Sequence, residues 1–231
     1  MAEDERKSFD ENEILKKLKA IGSDLWGAEA AAKTPAPAPG KKPVRTAKSA
    51  EERRPPITLD TLWMASDESV DWTEALGHET PPDRLTSPAL WKFFHDRAEK
   101  VLRGDVHAYA EVLRKLNPLG DLVTYADDLK MRVPSADRAE GEFTCSGELL
   151  EEKGQKYLCA MGLRIARDLL AALPVREVGV TAYNEGKKLM EVTYPREKLH
   201  RRNYLFLDPV AVADECGAVY PEGTDFGKKK K

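Results

Sequence analysis

The residues whose types and spacing could carry out a reaction are an aspartate and a lysine two positions apart, Asp128 and Lys130, in a segment predicted to be a β-strand. Asp121, Asp127 and Glu142 could add further carboxylates. Carboxylates on neighbouring strands can hold a divalent cation, and a nearby lysine can assist the water that attacks a phosphodiester. The pattern predicts a candidate nuclease-like site that would need Mg²⁺. We favour a solvated strand face instead, because 33% of the residues are charged and such pairs arise by chance.

A second candidate set is basic and surrounds the last predicted strands. Lysine and arginine attract phosphate backbones, and tyrosine rings can stack on bases. Glu185, Glu191 and Glu197 dilute the positive charge, and lysines on a solvated sheet edge also prevent aggregation. We therefore favour a solvated edge, with a nucleic-acid surface as the alternative. The basic residues are Lys187, Lys188, Arg196, Lys198, Arg201 and Arg202, interleaved with Tyr183, Tyr194 and Tyr204.

No other motif points to a common enzyme class. The sequence contains no phosphate-binding glycine loop, zinc-ligand spacing, nucleophile elbow or dinucleotide fingerprint. Its three cysteines form no C-x-x-C pair, as is typical of proteins in reducing compartments. We expect no metal and no cofactor, apart from Mg²⁺ if the nuclease alternative holds. The scattered histidines and cysteines are His78, His95, His107, His200, Cys145, Cys159 and Cys216.

The N-terminal segment has the pattern of a short docking helix. Ser8 and Glu11 have the spacing of a helix capping box, and the apolar residues that follow recur at helical spacing, which predicts a helix over about residues 10–26. A helix this short is marginal alone in water. It could pack on its own domain or remain unfolded, but we favour binding to a separate protein. The predicted partner-binding residues are Ile14, Leu18, Ile21, Leu25 and Trp26.

Composition divides the chain into four segments. Residues 28–56 are rich in Pro, Ala and Lys and contain almost no large apolar side chain, which predicts a disordered linker. We assign residues 1–27 to the docking helix, residues 57–220 to a single domain and residues 221–231 to a basic disordered tail. The acidic N-terminus and the lack of a long apolar run predict a cytoplasmic protein without membrane contact.

The single domain is predicted to be α+β. An N-terminal αα-hairpin over about residues 87–117 and one long central helix over about residues 149–173 would pack on a small, mainly antiparallel sheet, preceded by the disordered tail. A last short helix begins at Asp208 and Pro209. The predicted strands cover residues 122–125, 129–133, 142–145, 178–182, 190–194 and 204–207.

The central helix is predicted to have one apolar side, which packs, and one charged side. Helical periodicity sorts its apolar residues onto one stripe and most of its charged residues onto the other side. The apolar stripe comprises Leu158, Met161, Ile165, Leu169 and Ala172, and the charged residues largely on the opposite side are Lys153, Lys156, Arg164, Arg167 and Asp168.

Three runs of sequence carry a resemblance to a known family. They begin with Val-Leu-Arg-Gly-Asp-Val-His-Ala-Tyr at residues 101–109 and continue at residues 117–122 and 163–174. Over about residues 100–212 the chain resembles a family of uncharacterised bacterial cytoplasmic proteins. The resemblance implies no activity and transfers no catalytic residue.

Two classes of function follow from these observations. The favoured one is a non-enzymatic intracellular protein-interaction module, in which the N-terminal helix captures an unknown partner protein on a flexible tether. The alternative is an active or degenerate metal-dependent nuclease-like domain, or a domain that binds nucleic acid, built on the carboxylate and basic sets above.

Overall fold

The computed structural model describes residues 58–82, 86–200 and 202–221. Every described residue belongs to one compact unit, Arg54–Lys231. The predicted docking helix, the linker over residues 28–56 and residues 222–231 lie outside the described residues. Within the described ranges, no helix is long and apolar enough to cross a membrane.

A mixed four-stranded sheet forms the centre of an α+β fold. Its strands are adjacent in chain order, and the first and last pairs are antiparallel, whereas the middle pair is parallel. The strands are β1 (Ala126–Ser135), β2 (Arg138–Cys145), β3 (Glu177–Asn184) and β4 (Lys187–Pro195).

The order of the strands follows from short turns and one long crossover. Glu185 and Gly186 join β3 to β4 with φ angles of 48° and 75°, the left-handed conformations that a two-residue hairpin requires. Between β2 and β3 the chain instead runs through two helices, and a crossover of that length lets the two strands run parallel. The sequence patterns did not indicate this parallel pairing.

Seven α-helices and three 3-10 turns are present in the described part of the chain. Ser87, Asp105 and Asp208 each accept hydrogen bonds from backbone N–H groups at a helix start, as their positions in the sequence predict. The helices are α1 (Trp72–Gly77), α2 (Pro88–Leu102), α3 (Val106–Leu116), α4 (Gly147–Lys153), α5 (Gln155–Ala172), α6 (Arg196–Leu199) and α7 (Pro209–Glu215), and the 3-10 turns are Leu62–Met64, Gly120–Thr124 and Tyr204–Phe206.

Three predicted elements differ from the structure. The central helix is interrupted at Gly154, whose φ of 54° ends α4 before α5 begins. The segments predicted as strands at residues 122–125 and 204–207 are wrong, since 3-10 turns occupy Gly120–Thr124 and Tyr204–Phe206. Short apolar runs do not separate strands from turns by periodicity alone.

Helix α5 packs against one face of the sheet. The predicted stripe is confirmed, because Leu158, Met161, Ile165 and Leu169 are fully buried. Ile165 lies over Gly141 of β2 so closely that a Cβ at residue 141 would come within 2.4 Å of its Cγ2 atom. The opposite face, here called the open face, carries charged side chains that are partly to largely exposed, among them Lys130, Arg132, Arg138, Glu140 and Glu142.

Candidate functional site

Residues 58–70, here called the strap, cross the side of α5 that faces away from the sheet. Leu62 and Trp63 of the strap are buried, although the acidic composition of this region predicts a surface segment. The Val70 N–H donates to the Ala171 carbonyl over 3.0 Å. Lys156 donates from Nζ to Asp60 Oδ1 over 2.9 Å and lies 5.3 Å from the Trp63 ring centroid.

Arg167 and Asp168 of α5 bind the backbone of the strap. Arg167 donates from Nη1 to the carbonyls of Trp63 and Ala65, the latter over 3.0 Å, and from Nη2 to Ser66 Oγ over 2.8 Å. The Asp67 N–H donates to Asp168 Oδ1 over 3.1 Å. These contacts join residues about 100 positions apart in sequence, so no local pattern could have indicated them.

An ionic cluster lies buried beneath the strap. Arg164 is 2% exposed and Asp168 is 0% exposed, although the sequence pattern places both on the charged side of the helix. Arg164 donates from Nε to Asp168 Oδ2 over 2.5 Å and from Nη2 to Asp121 Oδ2 over 2.8 Å. Its Nη1 is buried and has no hydrogen-bond partner among the described residues. These charged residues are buried because the strap and the Asp121 turn cover this side of the helix.

The cluster surrounds one guanidinium with several carboxyl groups. Burial raises the pKa of Asp168 to about 7, although Arg164 and the Asp67 N–H favour its charged form. Partial burial also raises the pKa of Asp67, which the charge of Arg164 opposes and that of Asp121 reinforces. Desolvation is therefore the largest influence on the pKa of both carboxyl groups.

A pocket opens beside this cluster, with a cavity volume of about 130 Å³. The strap forms one wall, the C-terminal half of α5 forms the floor, and α6 with the 3-10 turn after it forms the other wall. We call it the α5 pocket. Its lining residues are Ser66, Asp67, Ser69, Arg167, Leu170, Ala171, Arg196, Leu199, His200 and Tyr204.

Two arginines of the pocket hold its walls together. Arg196 donates from Nε to the Val175 carbonyl over 2.8 Å and from Nη2 to the carbonyls of Leu170 and Leu173 over 2.7 and 2.5 Å. It thereby binds carbonyls at the C-terminal end of α5, where a cation is favoured. The Arg167 guanidinium carbon lies 3.6 Å from the Tyr204 ring centroid, a cation–π contact that fixes the 3-10 turn.

The carboxylates of the predicted nuclease-like site are only partly brought together. Lys130 is paired with Glu142 across the β1–β2 ladder and binds Asp128 Oδ2 through Nζ over 2.8 Å on the open face of the sheet. Asp121 instead binds the buried Arg164, and Asp127 lies at the irregularity between Ala126 and Asp128. Among the described residues no group of three His, Cys, Asp or Glu side chains could hold a metal ion.

The predicted basic set is divided between the two ends of β4. Lys187 and Lys188 lie at its start, and Arg196 follows its end about 30 Å away, given about 3.3 Å per strand residue. Lys188 pairs with Glu191 over 2.6 Å, and Arg202 pairs with Glu215 over 2.6 Å. Lys198 lies beside Arg202, because Arg202 donates to its carbonyl and both side chains bind Glu215. Tyr194 is fully buried, and Arg201 is outside the described residues.

Comparisons with known proteins add no family to these observations. No protein-family model matches the chain, and neither a curated protein nor a solved structure matches it. The resemblance over residues 100–212 stays a prediction. The predicted partner-binding residues Ile14, Leu18, Ile21, Leu25 and Trp26 lie outside the described residues, and their role also stays a prediction.

The sequence patterns do not indicate most residues of the ionic cluster and of the α5 pocket beside it. One local signal was present: Arg164 and Asp168 have the i, i+4 spacing of an intrahelical ion pair. That spacing indicates a pair but not its burial. The charged sequence neighbours of Arg196 predict a solvated edge or a nucleic-acid surface, whereas its hydrogen bonds connect it to the C-terminal end of α5 and to Val175.

Proposed function

We propose that this protein is a non-enzymatic intracellular interaction module. Residues 1–27 would bind a partner protein, residues 28–56 would act as a tether, and the domain described above would serve as the anchor. The observation that carries the proposal is the attachment of the strap to α5, because the strap is the first described segment after the predicted tether.

The strap offers a firm point of attachment. Arg167 binds three strap groups, Asp168 accepts from a fourth, and Trp63 is 4% exposed in the core. A segment N-terminal to residue 58 would therefore search a volume set by its own length and stiffness. A tether of that kind raises the effective concentration of whatever the docking helix captures near the domain.

The charged groups on the open sheet face also support a non-enzymatic role. Asp128 and Lys130 form an ion pair with each other, and Arg132 binds both Glu140 and Glu142 at 2.5 and 3.1 Å. The pairing with Lys130 lowers the pKa of Asp128 and raises that of Lys130. Such pairing favours the charged forms and leaves neither group poised for proton transfer near neutral pH.

The test is a capture experiment with the full chain as bait. Leu18→Asp places a charge on the predicted apolar stripe, and Ser23→Asp makes the same change of charge on the opposite side of the predicted helix. We expect a specific protein to be retained by the wild type and by Ser23→Asp and lost with Leu18→Asp.

Two outcomes would contradict the proposal. Equal retention by both variants would show that the apolar stripe does not mediate capture. Changes in the NMR spectrum of residues 58–221 caused by Leu18→Asp, without any captured protein, would show that the N-terminal segment belongs to the fold instead.

A further inference from the structure

Two arginines that form no ion pair within the described ranges line the α5 pocket. Arg167 and Arg196 both line the pocket, and no carboxylate of the described ranges lies within ion-pair distance of either guanidinium. Burial lowers the pKa of both side chains, but guanidinium groups remain charged at neutral pH. A partly desolvated positive charge of this kind is stabilised by a nearby anion.

Hydrogen-bond donors remain available in the pocket. Arg196 uses Nε and Nη2 for carbonyls, whereas its Nη1 makes no hydrogen bond to a described residue. Ser66 accepts from Arg167 through Oγ and keeps its own hydroxyl hydrogen to donate. Ser69 and His200 add a hydroxyl and an imidazole to the same lining.

We propose that the α5 pocket binds a small oxyanion of the phosphate class, held by the Nη1 end of Arg196 and the hydroxyls of Ser66 and Ser69. The site is independent of partner capture by the N-terminal segment and goes beyond it. The cavity of about 130 Å³ greatly exceeds the roughly 10–15 Å³ that one water needs, so a tetrahedral anion fits. Arg167 contributes charge from the floor while its own donors hold the strap.

Asp67 limits the affinity of this site. Its carboxyl group lines the same pocket and would repel the anion when it is ionised. Its hydrogen bond to the ionic cluster is made by the backbone N–H, which donates to Asp168, while its carboxyl group interacts with Arg164 and Asp121 through charge. Replacing its side chain by an amide therefore removes the repulsion and leaves that hydrogen bond in place.

The experiment is a titration of the full chain with inorganic phosphate at constant ionic strength, followed by calorimetry and amide chemical shifts. We expect saturable binding with a Kd on the order of 1 mM, as suits a ligand of five non-hydrogen atoms. Asp67→Asn should tighten binding roughly fivefold, and Ser69→Asp, at an exposed position, should weaken it at least about tenfold. Arg176→Gln is the control for the neighbouring cavity, which shares Arg196 and His200 with the α5 pocket but is lined by Arg176 instead of Ser66 and Ser69.

Each result of the titration either overturns or supports the proposal. No saturation up to about 20 mM phosphate, or equal affinity in the wild type and Ser69→Asp, would overturn the proposal. Binding weakened as much by Arg176→Gln, or acetate binding as tightly as phosphate, would also overturn it. Tighter binding of O-phosphoserine than of phosphate would support the site with a phosphate monoester as ligand, and the reverse order would support it with the free anion.

Discussion

Two charged networks of similar composition lie in different environments of this domain. The open face of the sheet carries an outer ladder of Arg132, Arg138, Glu140, Glu142 and Glu177, whereas the buried cluster beneath the strap joins Arg164 to Asp168 and Asp121. Exposed ion pairs contribute little to stability, while a buried charge that loses its partner is costly. Location, more than composition, decides which of these charges the fold depends on.

The two networks also respond to pH in opposite directions. Burial pushes the pKa of Glu140 upward, but its ion pairs with Arg138 and Arg132 outweigh that effect and the pKa is lowered. Burial raises the pKa of Asp168 to about 7 because its interactions with Arg164 and the Asp67 N–H do not outweigh desolvation. Ion pairing therefore sets the direction of the pKa shift of Glu140 in the ladder, and desolvation sets that of Asp168 in the cluster.

The largest difference should come from removing one arginine of each network. Arg164→Met leaves the buried Asp168 without its guanidinium and should cost about 3–5 kcal/mol of unfolding free energy. Arg132→Met, at a side chain that is 66% exposed, should leave the denaturant midpoint unchanged within error. Chemical denaturation of both variants measures this comparison. Equal midpoints would show that burial does not distinguish the networks.

The next largest difference in unfolding free energy is expected between two glycine substitutions, one directed towards each face of the sheet. A Cβ at Gly141 would meet Ile165 Cγ2 at 2.4 Å, and a Cβ at Gly179 would meet Arg138 Nη2 at the same distance. Because the arginine can move into solvent, Gly179→Ala should be tolerated, whereas Gly141→Ala should cost about 1–3 kcal/mol.

Ile165→Ala tests the inner contact directly. Alone it should cost about 2–5 kcal/mol, and it should make Gly141→Ala less harmful in the double variant. Denaturation curves of the two single variants and the double variant measure the coupling. Strict additivity would mean that the two residues do not touch.

The pH responses can be compared with two amide substitutions. Because the pKa of Asp168 is raised, its contribution to the unfolding free energy is present below about pH 4 and is lost as the pH rises towards 7. Asp168→Asn does not titrate, so it should gain stability relative to wild type over that range. The difference should change by at most about 1.4 kcal/mol per pH unit. Glu140→Gln should lose stability relative to wild type at neutral pH, and this loss should vanish in acid. If both variants gained, or both lost, stability relative to wild type as the pH rises, the opposite pKa shifts of Asp168 and Glu140 would be contradicted.

The smallest effect is expected at the predicted nuclease-like residues. Asp128→Ala removes one partner of an exposed ion pair and should not change the unfolding midpoint. The nuclease alternative instead requires Mg²⁺- or Mn²⁺-dependent cleavage that disappears with Asp128→Ala or Glu142→Ala. We expect no cleavage by the wild type in an assay of DNA and RNA substrates. Cleavage with that dependence would show that the function lies on the open face of the sheet and not beside the buried cluster.

Local signals predicted much of the secondary structure but little of the candidate site. The caps at Ser87, Asp105 and Asp208 and the alternation in β3 and β4 depend on neighbouring residues, and their elements lie where the sequence placed them. The burial of Arg164 and Asp168 depends on a strap about 100 residues away. Helical periodicity describes the sides of α5 but contains no information about which distant segment covers them.

The strap has a consequence for synthesis on the ribosome. It is made about 100 residues before the part of α5 that binds it, so at about 5–20 residues per second it waits roughly 5–20 s for its binding site. During that time Leu62 and Trp63, which end in the core, face water. The neighbouring Asp60, Asp67, Glu68 and Asp71 keep this nascent segment charged, and such gatekeeper charges hinder aggregation. The acidic composition of the strap therefore protects the chain before the fold exists.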